Sequence, residues 1–237
     1  MGCGTGGGHG AEVTPRVHVE WARRVAAEYG SAAIAAQTLT WAIQVGLSPE
    51  LLHVAVRVVR DELDHAALAF QTLVALGGGD TPVDVAAADF GSPGGAPVFP
   101  AVVDTVVQSF CLGETLAVPL FAAMRRRATH PATRPVLDRI LEDEAVHRAL
   151  GWDLLDALIT VDPGVVAYVA RRLPALMDRW SAYRDPPAAP ALTDAERACG
   201  LLDHAEYGEI YARTWAEDVV PRFARRGIRI VPDMPAP

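Results

Sequence analysis

Two segments of this 237-residue chain repeat one arrangement: Glu62-Leu-Asp-His65 and Glu144-Ala-Val-His147. A Glu and a His three residues apart share one face of a helix. In both segments that face is otherwise apolar or small. The first reads Leu51, Ala55, Val58, Glu62, His65, Ala69, Leu76, and the second Leu137, Ile140, Glu144, His147, Gly151, Leu154, Leu158. Two more apolar stripes hold one acid each: Trp21, Val25, Glu28, Ala32, Ala35, Leu39, and Val103, Val107, Phe110, Glu114, Ala117, Phe121. Four carboxylates converging in an apolar core cannot all stay ionised unpaired, since burying even one costs on the order of several kcal/mol. Two divalent cations would balance four carboxylates and leave the imidazoles neutral. Mixed carboxylate and imidazole ligation suits iron or manganese. The candidate metal ligands are therefore Glu28, Glu62, His65, Glu114, Glu144 and His147.

The elements that must position these residues are helical throughout. Apolar residues recur at three and four positions, and strand alternation is scarce. The spacing predicts a first helix over about Val17 to Val45, ended by Gly46. Ser48 caps a second, with Pro49 and Glu50 in its first turn. It runs to about Leu76, where three glycines stop it. Residues 77–100 are rich in Gly, Pro and Asp and show no period. A third helix is expected from about Pro100 to Thr129, kinked at Pro119, and a fourth from about Ala132 to Thr160. A fifth covers about Pro163 to Tyr183. A Pro-rich hinge from Asp185 to Pro190 precedes a last helix over about Thr193 to Arg226. Two hairpins with short turns are thus joined by one long loop, which needs a structural reason. Parallel second and third helices supply it. A helix of about 28 residues is roughly 42 Å long, and the extended loop reaches about twice that. The reading is an all-α four-helix bundle with one long crossover plus two additional C-terminal helices. Residues 1–15 form a disordered Gly-rich tail, 16–160 the bundle, and 161–230 helices packed on it in the same domain.

Composition removes several alternatives. All 21 basic residues are Arg, and neither Lys nor Asn occurs. That excludes a Schiff-base or phosphate-loop Lys and any Asn-linked glycan. A net charge of −8 argues against nucleic acid as a partner. Three distant cysteines do not make a disulfide framework, and a reducing cytoplasm is the expected setting. The start, Met1 to Gly10, matches neither a signal peptide nor a myristoylation site. No apolar run reaches the roughly 18 residues that a membrane span needs.

The six candidate ligands, their order and the crossover between the hairpins resemble the ferritin-like di-iron carboxylate superfamily. The resemblance covers about residues 17–160. The extra C-terminal helices make the layout most similar to small di-iron oxygenases such as aldehyde-deformylating oxygenase. It implies a ferritin-like bundle holding two iron ions, with manganese or a mixed Mn/Fe pair as the alternative. It also implies O2, a small organic substrate and an external electron donor of the ferredoxin/reductase type, because no flavin or iron–sulfur motif is present. A homodimer is compatible with it. In such proteins the Asp before each Glu accepts the free ring N–H of the opposite His, which pairs Asp61 with His147 and Asp143 with His65. Iron storage or peroxide scavenging is the second reading, and a binding module with a structural or vestigial metal site the third. Rubrerythrin is disfavoured by the missing four-cysteine module, and a ribonucleotide-reductase role by Ala69 where its radical Tyr would stand.

Other polar residues have duller expectations. Glu142 and Glu20 are expected at the surface, and His18 and His53 partly exposed. His204 is expected to pack, with an extra-ligand role as the alternative. Arg125, Arg126 and Arg127 suit a helix C-terminus, with docking of an acidic partner as the sharper reading. Ala32, Gly113 and Gly151, near the ligand levels, serve either packing or room for oxygen and substrate.

Overall fold

Seven helices and no strand occur among the described residues of the computed structural model, which are 13–83, 97–177, 180 and 190–230. The Gly-rich tail, including Cys3, lies outside them apart from its last residues. So do most of the crossover and most of the expected hinge. Helix α1 is Pro15–Gln44 and α2 is Pro49–Ala75. Between them Gly46 takes a φ of 77°. Its N–H bonds the Ile43 carbonyl and the Leu47 N–H bonds Ala42, which satisfies the last carbonyls of α1. Helix α3 is Val98–Arg127, and α4 is Arg134–Val161. Helix α5 is Gly164–Met177, and α6 is Asp194–Ala198. Helix α7 comprises His204–Thr214, Trp215–Val219 and Val220–Arg225.

Two apolar clusters show how the first four helices run. One joins Trp41 of α1, Val58 of α2, Val102 and Val106 of α3, and Leu155 and Leu158 of α4. The other joins Trp21, Leu73, Leu120 and Leu137 of the same helices. The end of α1, the start of α2, the start of α3 and the end of α4 therefore share one end of the bundle. Helix α2 finishes at the opposite end from where α3 begins, so these two helices are parallel.

Two expectations need correction. The last helix is not continuous from Thr193. Gly200 (φ 83°) ends α6, with its N–H on Arg197 and the Leu201 N–H on Glu196. The chain restarts at His204. A turn needing positive φ breaks the helical period there. Helix α3 also departs from a plain α-helix. Residues Val106–Glu114 form π-helix, and regular helix resumes at Thr115.

By length and mean hydropathy α3 is apolar enough to cross a membrane, although polar residues interrupt it. Half of its most apolar window is buried inside the bundle. Asp104 pairs with Arg172 at 2.7 Å. Trp21 Nε1 donates to the Cys199 carbonyl at 3.0 Å, and Thr14 to Glu196 at 2.8 Å, tying the C-terminal elements to α1.

Candidate metal centre

Between the two apolar clusters the bundle core turns polar. Glu28 comes from α1, Glu62 and His65 from α2, Glu114 from the end of the π segment, and Glu144 and His147 from α4. All are buried except Glu114, which is half-buried. They form two overlapping groups: Glu28, Glu62, His65 and Glu144, and Glu62, Glu114, Glu144 and His147. Within each group one donor atom per residue lies within 4.8 Å of the others.

Both histidines turn Nδ1 toward the glutamates. His147 Nδ1 lies 3.0 Å from Glu62 and 3.7 Å from Glu144. His65 Nδ1 lies 3.8 Å from Glu62 and 3.9 Å from Glu28. Several of these buried atoms have no hydrogen-bond partner: both Nδ1 atoms, one oxygen of Glu62 and one of Glu144. The 3.0 Å approach of His147 to Glu62 is close but poorly aligned for a hydrogen bond. Orphaned buried donors and acceptors facing one another are costly. This donor set fits a divalent cation, which would satisfy them together.

The far ring nitrogens face aspartates. His65 Nε2 is 3.2 Å from Asp143, within hydrogen-bond reach. His147 Nε2 stands 3.6 Å from Asp61, beyond it. Both expected pairs are therefore neighbours, but only one is a hydrogen bond. Sequence reading missed the arginines behind them. Arg57 donates to Asp61 at 3.0 Å and to Asp143 at 3.2 Å. Arg139 donates to Asp143 at 2.6 Å, and Arg60 to Asp61 at 3.3 Å. The signal was available: Arg, then Asp-Glu four residues on, then His, occurs at 57–65 and again at 139–147. An Asp held by Arg and facing Nε2 leaves the Nδ1 lone pair for a metal.

Charge in the cluster is unevenly shared. Burial, reinforced by Glu62, pushes Glu28 well above the ordinary carboxylate range. Burial, reinforced by Glu114, does the same for Glu144. Burial lifts Glu114 to about 7. Burial would raise Glu62 as well, but His147 and His65 outweigh it and hold that carboxyl at about 2. Without a cation, Glu62 ionises most readily and the other three glutamates resist ionising.

A cavity of about 800 Å3 reaches this cluster from the side of the C-terminal elements. All four glutamates line it and neither histidine does. Of the three small residues only Gly113 borders it. Gly151 is a packing residue, since a Cβ there would stand 2.7 Å from the Phe110 backbone. Ala32 is buried in the core. His204 belongs to neither ligand group and lines the cavity at an exposed position. Glu142 and His53 are exposed, and His18 is half-buried with Nε2 2.8 Å from the Leu76 carbonyl. Arg125 pairs with Asp138, and Arg127 with Glu206, so the arginine run is largely engaged within the fold.

No family model, curated protein or solved structure matches this chain.

Proposed function

We propose that the chain is a ferritin-like di-iron protein that uses O2 to oxidise a small organic substrate held in the cavity. Topology and donor order support this reading. One Glu from each of two helices and Glu-x-x-His from each of the other two, with one long crossover, is the plan of ferritin-like di-iron sites. Glu62 and Glu144 belong to both donor groups and would help to hold either ion. Glu28 and His65 would complete one ion's ligands, and Glu114 and His147 the other's. Bound iron would supply O2 activation, with electrons from an external donor of the ferredoxin/reductase type, and the same donors accept manganese.

The chain's own residues set the conditions for that chemistry. Asp143 accepts a hydrogen bond from His65 Nε2–H, which would keep Nδ1 free for a metal. Burial favours the protonated form of Glu28 and Glu144, so an entering cation would compete with protons for their oxygens. Leu116, Leu120 and Phe121 present an apolar wall to the cavity.

The observation that carries the reading is the cavity's contact with the four glutamates. Its volume falls within the range of small-molecule sites, roughly 300–1,000 Å3. Iron storage has no use for such a chamber, so the cavity favours an organic substrate. The test is anaerobic loading with Fe(II), a metal count, then mixing with O2 under stopped-flow absorbance. Two irons per chain and an oxygen-dependent absorbance change are expected. His147→Ala and Glu62→Ala should remove both. Wild-type protein that takes up no iron, or variants that react as wild type does, would refute the assignment.

A further inference from the structure

Arg24 is the one buried arginine among the described residues, 7% exposed. It lies on α1 four residues before Glu28, about 6 Å away at 1.5 Å of rise per residue. Both residues line the cavity. The guanidinium carbon sits 4.4 Å from the Trp21 ring centre and 5.5 Å from that of Phe121. Nη2 donates to Met124 Sδ at 3.2 Å, a weak acceptor. Nη1 is buried and meets no acceptor. No carboxylate forms a direct ion pair with Arg24 among the described residues, and Glu20 and Glu28, one turn to either side, attract it only at longer range.

A guanidinium does not give up its proton near neutral pH. Burying it without an anion is costly. The arginines behind the histidines show how this chain ordinarily treats a charge near its core: Arg57 and Arg139 each hold carboxylates. Glu28 does not fill that role for Arg24, because its carboxylate is turned toward His65, 3.9 Å away. The cavity that Arg24 lines can supply an acceptor for Nη1; its walls also carry Glu20 and the four cluster glutamates, with Leu116, Leu120 and Phe121 as an apolar stretch.

We infer that Arg24 is the anchor for an anionic ligand, and that the substrate class is an amphipathic carboxylic acid. Its carboxylate rests on Arg24 Nη1, and its apolar body lies along Leu116, Leu120 and Phe121 beside the glutamates. Calling that ligand a substrate rests on the di-iron reading above. The binding assignment does not.

The test is calorimetric titration of octanoate, 1-octanol and octylamine into the full chain, both Fe(II)-loaded under anaerobic conditions and metal-free. Octanoate should bind about tenfold or more tighter than octanol in both forms, as expected for a charge-assisted hydrogen bond. Octylamine should bind more weakly still. Arg24→Met, checked for folding by circular dichroism, should lower octanoate affinity to the octanol level and leave octanol affinity unchanged. Equal binding of octanoate and octanol by wild type would overturn the proposal. So would a folded Arg24→Met that keeps the octanoate preference. If Arg24→Met does not fold, Arg24→Gln takes its place with the same expected loss. If neither folds, the octanoate-to-octanol ratio of metal-free wild type decides. Absence of iron uptake would refute the di-iron reading while leaving the metal-free titration readable. Iron uptake without octanoate preference would refute the anchor alone.

Discussion

Stripping metal from the protein and raising the pH should destabilise it, because the four glutamates then have nothing to neutralise them. Glu114 contributes a sizeable share of this effect. Its pKa rises from the usual 4.5 to about 7, a difference of about 2.5 units, or about 3.4 kcal/mol at 1.36 kcal/mol per unit. Glu114 borders the cavity and is only half-buried, so solvent screening trims its share to about 2 kcal/mol. The sign follows from the direction of the shift. A raised folded-state pKa favours the protonated form, so this stability is fully present below pH 4.5 and disappears as pH rises through about 7. Glu28 and Glu144 shift in the same direction, both chiefly through burial. Burial lowers the His147 pKa, but Glu62 outweighs it and the net shift is upward, so its share is also lost as pH rises. Glu62, held at about 2, acts oppositely. Its contribution is present above pH 4.5 and stays constant between pH 5 and 8. Metal-free protein should therefore lose at least about 2 kcal/mol between pH 5 and 8. At about 2–4 °C per kcal/mol for a chain of this size, Tm should fall by about 4–8 °C. Added Mn(II) or anaerobic Fe(II) should reverse the trend, since metal competes with protons for the same oxygens. Free metal at about 100 times Kd adds about 2.7 kcal/mol. Scanning calorimetry of chelator-dialysed and Mn(II)-supplemented protein at pH 5, 6, 7 and 8 checks both. A metal-free Tm that stays flat or rises over this range would mean that the carboxylates are not buried together.

Other substitutions separate the parts of the site. Asp143→Ala removes the acceptor of His65 Nε2 and should weaken metal binding by about 10–100-fold, measured by competition with a fluorescent chelator. Asp61 stands 3.6 Å from His147, so Asp61→Ala should cost less, and an equal or larger loss would contradict the asymmetry. Gly151→Ala places a Cβ 2.7 Å from the Phe110 backbone and should cost about 1–3 kcal/mol, read as a lower urea midpoint. Gly200→Ala, at φ 83°, should cost about 1–2 kcal/mol in the same assay without changing the metal count.

Much of the bundle was legible because helices leave a local period. The four apolar stripes placed Glu28, Glu62, Glu114 and Glu144 on inward faces, and the i, i+3 spacing put each His beside its Glu. Gly46 and the glycines after Leu76 marked two helix ends for a local steric reason. The break at Gly200 was missed because a single glycine inside a helical pattern looks tolerable until its φ is known. The π segment at 106–114 escaped for a related reason. No residue type announces it.

What the sequence alone determined is the kind of chemistry available: carboxylates and imidazoles at helical spacing, with no Lys anywhere. Residue spacing along one helix is a property of the backbone, so it survives without knowledge of the fold. What belongs to the tertiary structure is everything set by the distance between helices. The arginine clamp on Asp61 and Asp143 joins α2 to α4 across 86 positions of sequence in the case of Arg57 and Asp143. The cavity depends on α7 and the segment before it closing over α1 and α3. Arg24 shares its helix face with Trp21 and Glu28, yet only the packed bundle shows that it is buried without an anion beside it. Burial and pairing depend on which surfaces meet, and a local pattern does not encode that.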